Sequence, residues 1–325
     1  MDALSETLRV VRLIGAIFIN GRFTAPWCYQ SPHADYAAPL LEPGAERVVI
    51  FHMITEGECY VEMDGRQPPV HLIAGDAVIF PQGDAHRMAS APGVPAATGA
   101  KLDVVLSRRP RHLAYGGGGA VTRLVCGYLA CDARLARMLL AGLPSVVKVN
   151  VRGSNAGAWL ETSLRYALSE ARSPRPGGMG VLAKLSEVLF IEVLRIYMNE
   201  QTPGTTGWLA GVGDRIVGAA LGALHRYPTR AWTLEDLATE AATSRSVLAE
   251  KFQLIVGIAP MQYLTQWRML LAANLLSGSN APLIRIAEEV GYQTDTAFSR
   301  AFSREYGVPP AKWRRIQVDR KLQAS

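Results

Sequence analysis

The chain has little cysteine: four in 325 residues, without the spacing of a disulfide framework. Cys126 and Cys131 stand five apart in CGYLAC, which matches neither a C-x-x-C redox pair nor a zinc spacing, and they are expected to pack at the start of a region after the strands. Long apolar runs are scarce as well. The N-terminal stretch offers one of only seven residues, Leu13–Ile19, and carries acids at positions 2 and 6. That fits neither a signal peptide nor a membrane span, so a cytoplasmic protein is expected. Nor is charge strongly of one sign: 34 Lys and Arg oppose 28 Asp and Glu, for a net +6 and a pI of about 9.2. In residues 208–325 the count is 14 against 10, so charge alone does not point to nucleic acid. No Ser sits in a nucleophile elbow, and Gly116–Gly119 lacks the Lys and the strand-to-helix context of a phosphate loop. No enzymatic step is expected.

What is present is a duplication. Phe252-x4-Gly257-Ile258-x-Pro260-x2-Tyr263 returns as Phe302-x4-Gly307-Val308-x-Pro310-x2-Trp313, every matched pair fifty positions apart. The segments before them match too, LEDLATEAATSRSVLAEKF (234–252) beside IRIAEEVGYQTDTAFSRAF (284–302), with one residue more in the second turn. A repeat of this size means two copies of one supersecondary unit, each with a small core.

Each copy reads as helix, turn, helix. In the first, Thr233 caps a helix that buries Leu234, Leu237 and Ala238. Thr243 or Ser244 caps a second helix, burying Val247, Leu248 and Phe252 and turning Ser246, Ala249 and Glu250 outward. In the second, Ile284, Ala287 and Val290 face inward and Gly291 breaks the helix. Thr294 or Asp295 then caps a helix with Ala297, Phe298, Ala301 and Phe302 inward and Thr296, Ser299 and Arg300 outward. Short outward faces of hydroxyls and a guanidinium suit base edges in a major groove. The apolar-striped helix 261–276 would hold the two units about 34 Å apart, the spacing of successive grooves on one DNA face.

This stretch resembles the C-terminal DNA-binding domain of AraC/XylS-type bacterial transcription regulators over roughly residues 208–318. The resemblance rests on TSRSVLAEKF, the G-x-x-P-x2-Y after it, the WRM helix and IAEEVGYQTDTAFSRAFSREYGVPPAKWR. It implies DNA contacts from Ser246, Ala249 and Glu250 in the first unit, with Arg245 on the backbone and Ser244 at the cap. In the second it implies Asp295, Thr296, Ser299 and Arg300, with Thr294 at the cap. The family often has a base where this chain has Glu250. An acid there either accepts from a cytosine amino group or leaves the first unit a weak reader.

Before these units, short β-rich runs separated by turns fill the first hundred residues: GAIFING, RFTAPWCY, RVVIFHMIT, ECYVEMDG, PVHLIAG, DAVIFPQG, AHRMAS and LDVVLS. They predict a closed antiparallel barrel or a sandwich, preceded by a short helix at Glu6–Leu13 capped by Ser5. Phe51-His52-x5-Glu58-x6-Gly65 and Gly75-Asp76-x4-Pro81-x-Gly83-x2-His86 resemble the two halves of a cupin barrel, as in the sensor domains of AraC-type regulators. Carried over, the metal positions of cupins fall on His52, Ile54, Glu58 and His86. Ile54 departs from the pattern, so the barrel is either a three-ligand metal site or a binding pocket without metal, and no metal is assigned. Strand neighbours are expected to bring Cys28 and Cys59 near His52 or His86. A thiol beside imidazole or arginine has a lowered pKa and oxidises more readily. Some regulators of this subgroup resemble sensors of hypochlorous acid acting through barrel cysteines, which makes Cys28, His52, Cys59 and His86 the candidate sensor residues. The alternative is that the cysteines are inert core hydrophobes.

The expected architecture is a multidomain α+β chain. A cupin-like antiparallel β-barrel at 1–115 leads to a helical coupling or dimerisation region at 116–200, a linker at 201–207, and an all-α double helix-turn-helix domain at 208–325. In the middle region, Leu182, Leu185, Leu189, Val193 and Ile196 form one helix stripe, and Val188, Ile191 and Leu194 widen it, so that two faces want burial. Trp208–Tyr227 is expected to be one helix ending before Pro228. The implied function is a transcription regulator answering a small molecule or an oxidant. Its implied partners are double-stranded promoter DNA, RNA polymerase if it activates, and a second copy of itself, with no membrane. A cupin-type metal enzyme, or a small-molecule-binding protein with a helical interaction module, is the alternative from another class.

Overall fold

The computed structural model describes residues 2–10, 14–42, 45, 47–63, 68–95, 111–131, 133–140, 142–153, 156–172, 175–202 and 204–324. The chain folds into two compact units that exchange segments. One comprises Leu13–Ala133 and Leu143–Glu200; the other comprises Met1–Arg12, Arg134–Gly142 and Gln201–Ser325. Among the described residues no helix is long and apolar enough to cross a membrane.

The first unit is a sandwich. Its strands are β1 (Ile14–Thr24), β2 (Cys28–Ser31), β3 (Arg47–Glu56), β4 (Glu58–Met63), β5 (Val70–Ile73), β6 (Asp76–Phe80), β7 (His86–Ala89), β8 (Arg111–Gly116), β9 (Val121–Cys131) and β10 (Val147–Asn150). They form a six-stranded sheet in the order β10-β6-β3-β9-β1-β8 and a four-stranded sheet in the order β2-β7-β4-β5. The expectation of a closed antiparallel barrel is corrected on two points. No hydrogen-bonded strand pair joins the two sheets among the described residues, and β8 runs parallel to β1 at the edge. The expected strand over 102–107 and Pro110 lie outside the described residues.

The stretch expected as a helical middle region also contributes β9 and β10, and β9 sits at the centre of the large sheet between β1 and β3. Both of its faces are buried, and a strand covered on both sides reads as an unbroken apolar run rather than an alternation. Its inward set is Leu124, Cys126, Tyr128 and Ala130, which joins Val48, Ile50 and Ile54 of β3 in the core. Three helices complete this unit, α2 (Ala34–Leu41), α4 (Gly157–Arg172) and α5 (Gly178–Asn199). Helix α5 lies against β1 at Gly15, where an added Cβ would stand 2.7 Å from that of Ser186. The stripe expected for α5 is buried at Leu182, Leu189, Val193 and Ile196 and half-buried at Leu185.

The second unit is helical: α1 (Ala3–Val10), α3 (Ala133–Leu140), α6 (Trp208–Gly213), α7 (Arg215–Arg226), α8 (Leu234–Glu240), α9 (Arg245–Val256), α10 (Pro260–Gly278), α11 (Leu283–Glu289), α12 (Asp295–Tyr306) and α13 (Pro310–Ala324). Helix α1 starts earlier than expected, because Asp2 rather than Ser5 caps it by accepting from the Ser5 N–H at 2.9 Å. The single helix expected over 208–227 is broken in two. Asp214 is extended and accepts from the N–H groups of Ile216 and Val217, restarting the helix after the glycines 211 and 213. Thr233 closes a capping box with Asp236, and Ser244 and Thr294 cap α9 and α12. Gly257 and Gly307 end those two helices in the left-handed region, φ 87° and 70°, which explains why the repeat keeps glycine there.

Candidate functional site

The two copies present matching faces. Leu248 and Phe252 of α9, like Phe298 and Phe302 of α12, are fully buried four residues apart. That fixes what lies opposite. Ser246 and Glu250 are exposed with Ala249 half-buried between them, and fifty residues on Thr296 and Arg300 are exposed with Ser299 half-buried. Arg245 and Asp295 are exposed at the helix starts, Arg245 lying 3.7 Å from Glu235. Val247 and Ala297, expected inward, are exposed, Val247 to 44%; each sits one residue, or about 100° of turn, from the buried row. Ile284, also expected inward, is 39% exposed, while Ile286 of α11 takes the buried place. Helix α10 bridges the copies: Tyr263, Leu264 and Trp267 are buried near its start and Ala272, Ala273 and Leu276 near its end. The latter pack with Phe298, Phe302 and Tyr306 in the core of the second copy.

Inside the sandwich, β3 and β7 bring His52 and His86 together, Nε2 to Nε2 at 2.7 Å. Cys126 is the residue that the sequence reading placed elsewhere. It pairs across the sheet with His52, and its Sγ lies 2.8 Å from His52 Nδ1. Donors and acceptors settle the proton order. The Asp84 carbonyl, 3.0 Å from His86 Nδ1, only accepts, so His86 Nδ1–H donates to it and leaves Nε2 bare. His52 Nε2–H then donates to His86, and His52 Nδ1 accepts from the Cys126 thiol. Every member is neutral. Burial, then the neighbouring His86, holds His52 well below the usual histidine range, and burial pushes His86 down to about 4. Burial, then Cys59, raises the Cys126 thiol well above its ordinary value. The His86 ring stacks on Phe80 at 3.5 Å.

Pleat parity separates the other candidates. Cys59 and Val61 point into the core, so Glu58 points out, and its carboxylate meets His71 at 2.9 Å on the surface. Glu58 therefore does not join His52 and His86. Among the described residues no group of three His, Cys, Asp or Glu side chains is placed to hold a metal ion. The two imidazoles hydrogen-bond each other, and Ile54 brings no donor, so the core does not fit the metal of cupins. Burial, then Asp76 and Glu58, pushes the Cys59 thiol up to about 12, against the lowered value expected for it. Cys28 lies on β2 between Trp27 and Tyr29 of the core, and its own side chain faces the other way. There Arg87 Nη2 donates to its Sγ at 3.4 Å while Arg87 Nη1 pairs with Glu62 at 3.1 Å. The structure thus sets Cys28 on a guanidinium, apart from the histidines. The hydroxyl of buried Tyr29 and the indole N–H of Trp27, both of the core, have no hydrogen-bond partner among the described residues.

A cupin family model matches residues 2–199, and a helix-turn-helix domain model matches residues 237–316. A putative AraC-like transcription regulator of Streptomyces lividans is 36% identical over 274 residues, covering 83% of this chain and 88% of that protein. The chain belongs to the AraC-like transcription regulators. Two further members align almost end to end. The HTH-type transcriptional regulator AlkR of Acinetobacter baylyi is 29% identical over 97% of this chain and 99% of its own length. The RCS-specific HTH-type transcriptional activator RclR of Escherichia coli is 28% identical over 97% of each. In this AraC-like regulator the helix-turn-helix match spans both copies of the repeat, and the cupin match spans the whole sandwich. It is a DNA-binding transcription regulator.

Proposed function

We propose that this regulator reads promoter DNA through Ser244, Arg245, Ser246, Ala249 and Glu250 of the first copy and Thr294, Asp295, Thr296, Ser299 and Arg300 of the second. We further propose that an oxidant received in the sandwich sets how tightly it reads. The observation that carries the first part is the register. Three outward positions recur fifty residues apart, each backed by two buried side chains, so both faces are held by rigid packing. No catalytic step is assigned. The setting is the cytoplasm, and RNA polymerase is a partner where the effect is activation. Helix α5 supports a second copy as partner, since Leu185, Val188 and Ile191 are left half-buried beside its buried stripe.

The oxidant reading rests on Cys28, which is buried yet receives an N–H from a guanidinium. Two-electron oxidation replaces S–H by a larger, polar S–OH. Strand β2 must shift to make room, and any state that shifts must bind DNA differently for the signal to pass. One relative of comparable length is named RCS-specific, in keeping with such a signal. A second reading has its own observation: a small polar molecule would satisfy Tyr29 and Trp27. Binding to a duplex selected in vitro by the wild-type chain separates them. Hypochlorous acid should change wild-type affinity and leave Cys28→Ser unchanged. An equal change in Cys28→Ser removes the oxidant reading.

A further inference from the structure

The DNA-reading unit is not made of the C-terminal residues alone. The chain crosses between the two units four times, and helices α1 and α3 belong to the helical unit although they precede it by more than sixty residues. Helix α1 packs on α7 with Ala3, Leu4, Glu6 and Thr7 buried. Its contact is polar at the centre. Trp208 Nε1–H can only donate, and it gives its proton to Tyr263 Oη at 2.6 Å. The Tyr263 hydroxyl then donates to His225 Nε2 at 2.6 Å, which leaves the histidine proton on Nδ1. That proton faces Thr7 Oγ1 at 3.3 Å, and the Thr7 hydroxyl donates to the Ala3 carbonyl at 2.8 Å. One directed chain of hydrogen bonds therefore runs through α6, α10, α7 and α1. The far end of α1 is held as well, since Asn274 of α10 donates to the Val10 carbonyl at 3.0 Å.

We propose that helix α1 is a brace of the DNA reader, joining α7 to α10 so that both recognition helices are held at one separation, and that the sandwich controls whether the brace is seated. Helix α7 packs on α8 and α9 of the first copy, and α10 carries the core of the second. A brace across α7 and α10 therefore acts on the spacing of the copies and leaves their outward residues uncovered. The control follows from strand register. Strand β1 begins at Ile14, four positions beyond the end of α1 at Val10, and β9 ends at Cys131, two positions before the start of α3 at Ala133. Ile14 pairs with Ala130, so the two strand ends that feed the helical unit are neighbours in one sheet. Strand β9 also carries Cys126, bonded to His52. A change at that buried pair reaches both helices through covalent backbone. The proposal rests on the DNA-reading function and deepens it: seating favours reading, and unseating weakens it.

The test uses the full-length chain and two duplexes, one selected in vitro from a random library by the wild type and one trimmed to a single half-site. Thr7→Val removes the hydroxyl that faces His225 Nδ1 and donates to the Ala3 carbonyl, and should weaken binding to the full duplex about tenfold, the loss expected for one or two buried hydrogen bonds. Binding to the half-site should change far less, because only the spacing is lost. Thr7→Ser should restore wild-type affinity. Leu4→Asp, which unseats the helix outright, should weaken the full duplex further and speed amide exchange in residues 215–226. Faster exchange with unchanged or tighter binding would overturn the proposal, as would equal losses on both duplexes. If Leu4→Asp does not fold, Thr7→Val alone decides. Failure of the wild type to enrich any duplex would instead remove the DNA-reading function, and the brace with it.

Discussion

The two halves of the repeat have the same skeleton and opposite dependence on their surroundings. The second copy closes largely on its own rings, touching the segment before the repeat where Gly291 meets Thr229. Phe302 stacks on Tyr306 at 4.3 Å, Trp313 meets Tyr306 edge-on at 4.5 Å, and the ring of Phe298 lies 5.7 Å from Phe302. The indole N–H of Trp313 has no hydrogen-bond partner among the described residues. At the matching place the first copy has Tyr263, whose hydroxyl serves Trp208 and His225. Its core thus extends into α6, α7 and α1, and Lys251 of α9 reaches Asp214 at 2.6 Å. One copy is stabilised by aromatic packing; the other is tied by polar groups to the rest of the chain. The difference predicts that signals enter DNA reading through the first copy, while the second supplies a fixed face.

The contrast can be broken in steps. Phe302→Ala should cost about 3–5 kcal/mol and melt α12 with its neighbours, whereas Phe252→Ala, of similar cost, should also loosen α7. Amide exchange mapped along the chain distinguishes local from shared loss. Arg300→Ala should weaken the selected duplex by about 1–3 kcal/mol if it contacts a guanine. Glu250→Ala should change affinity far less if the first copy is the weaker reader. An equal loss for Arg300→Ala on random DNA would assign it to phosphate. Acid should act on the first copy of the repeat, as it does on the sandwich through buried His52 and His86, and spare the second copy. Burial pushes His225 down to about 3, below its unfolded value of 6.5, so the folded state refuses a proton the unfolded state accepts. The stability is complete above pH 6.5 and is lost as pH falls toward 3, by about 2 kcal/mol at pH 5. Thermal melts at pH 7 and pH 5 with His225→Gln as control read this directly. The smallest effect is at a cap: Thr233→Ala should cost about 1 kcal/mol in thermal stability.

Structure is legible in this sequence where the chemistry is local. Caps at Thr233, Ser244 and Thr294, the break at Gly291, and the buried rows of α9 and α12 follow from residues within one or two turns. Helix flanks were harder, because Val247 and Ala297 are apolar yet lie a quarter-turn from the buried row. In the sandwich, alternation separates Cys59 from Glu58 once β4 is recognised, and the same rule takes Glu58 out of any ligand set. Strand β9 hid because it is apolar on both faces, and with it Cys126, the thiol that meets His52. His225 is buried in a helical core. Nothing local announced its partner.

That partner has a consequence for how the chain is made. Thr7 and His225 are 218 residues apart. At the usual pace of synthesis, about 5–20 residues per second, the first helix leaves the ribosome roughly 10–40 s before the surface it belongs on. During that interval Leu4 and its neighbours have no native cover, and the reader cannot be completed until both copies of the repeat have been made. A nascent chain therefore holds a finished sandwich before it holds a finished DNA reader, so an incomplete copy has little means of occupying a promoter.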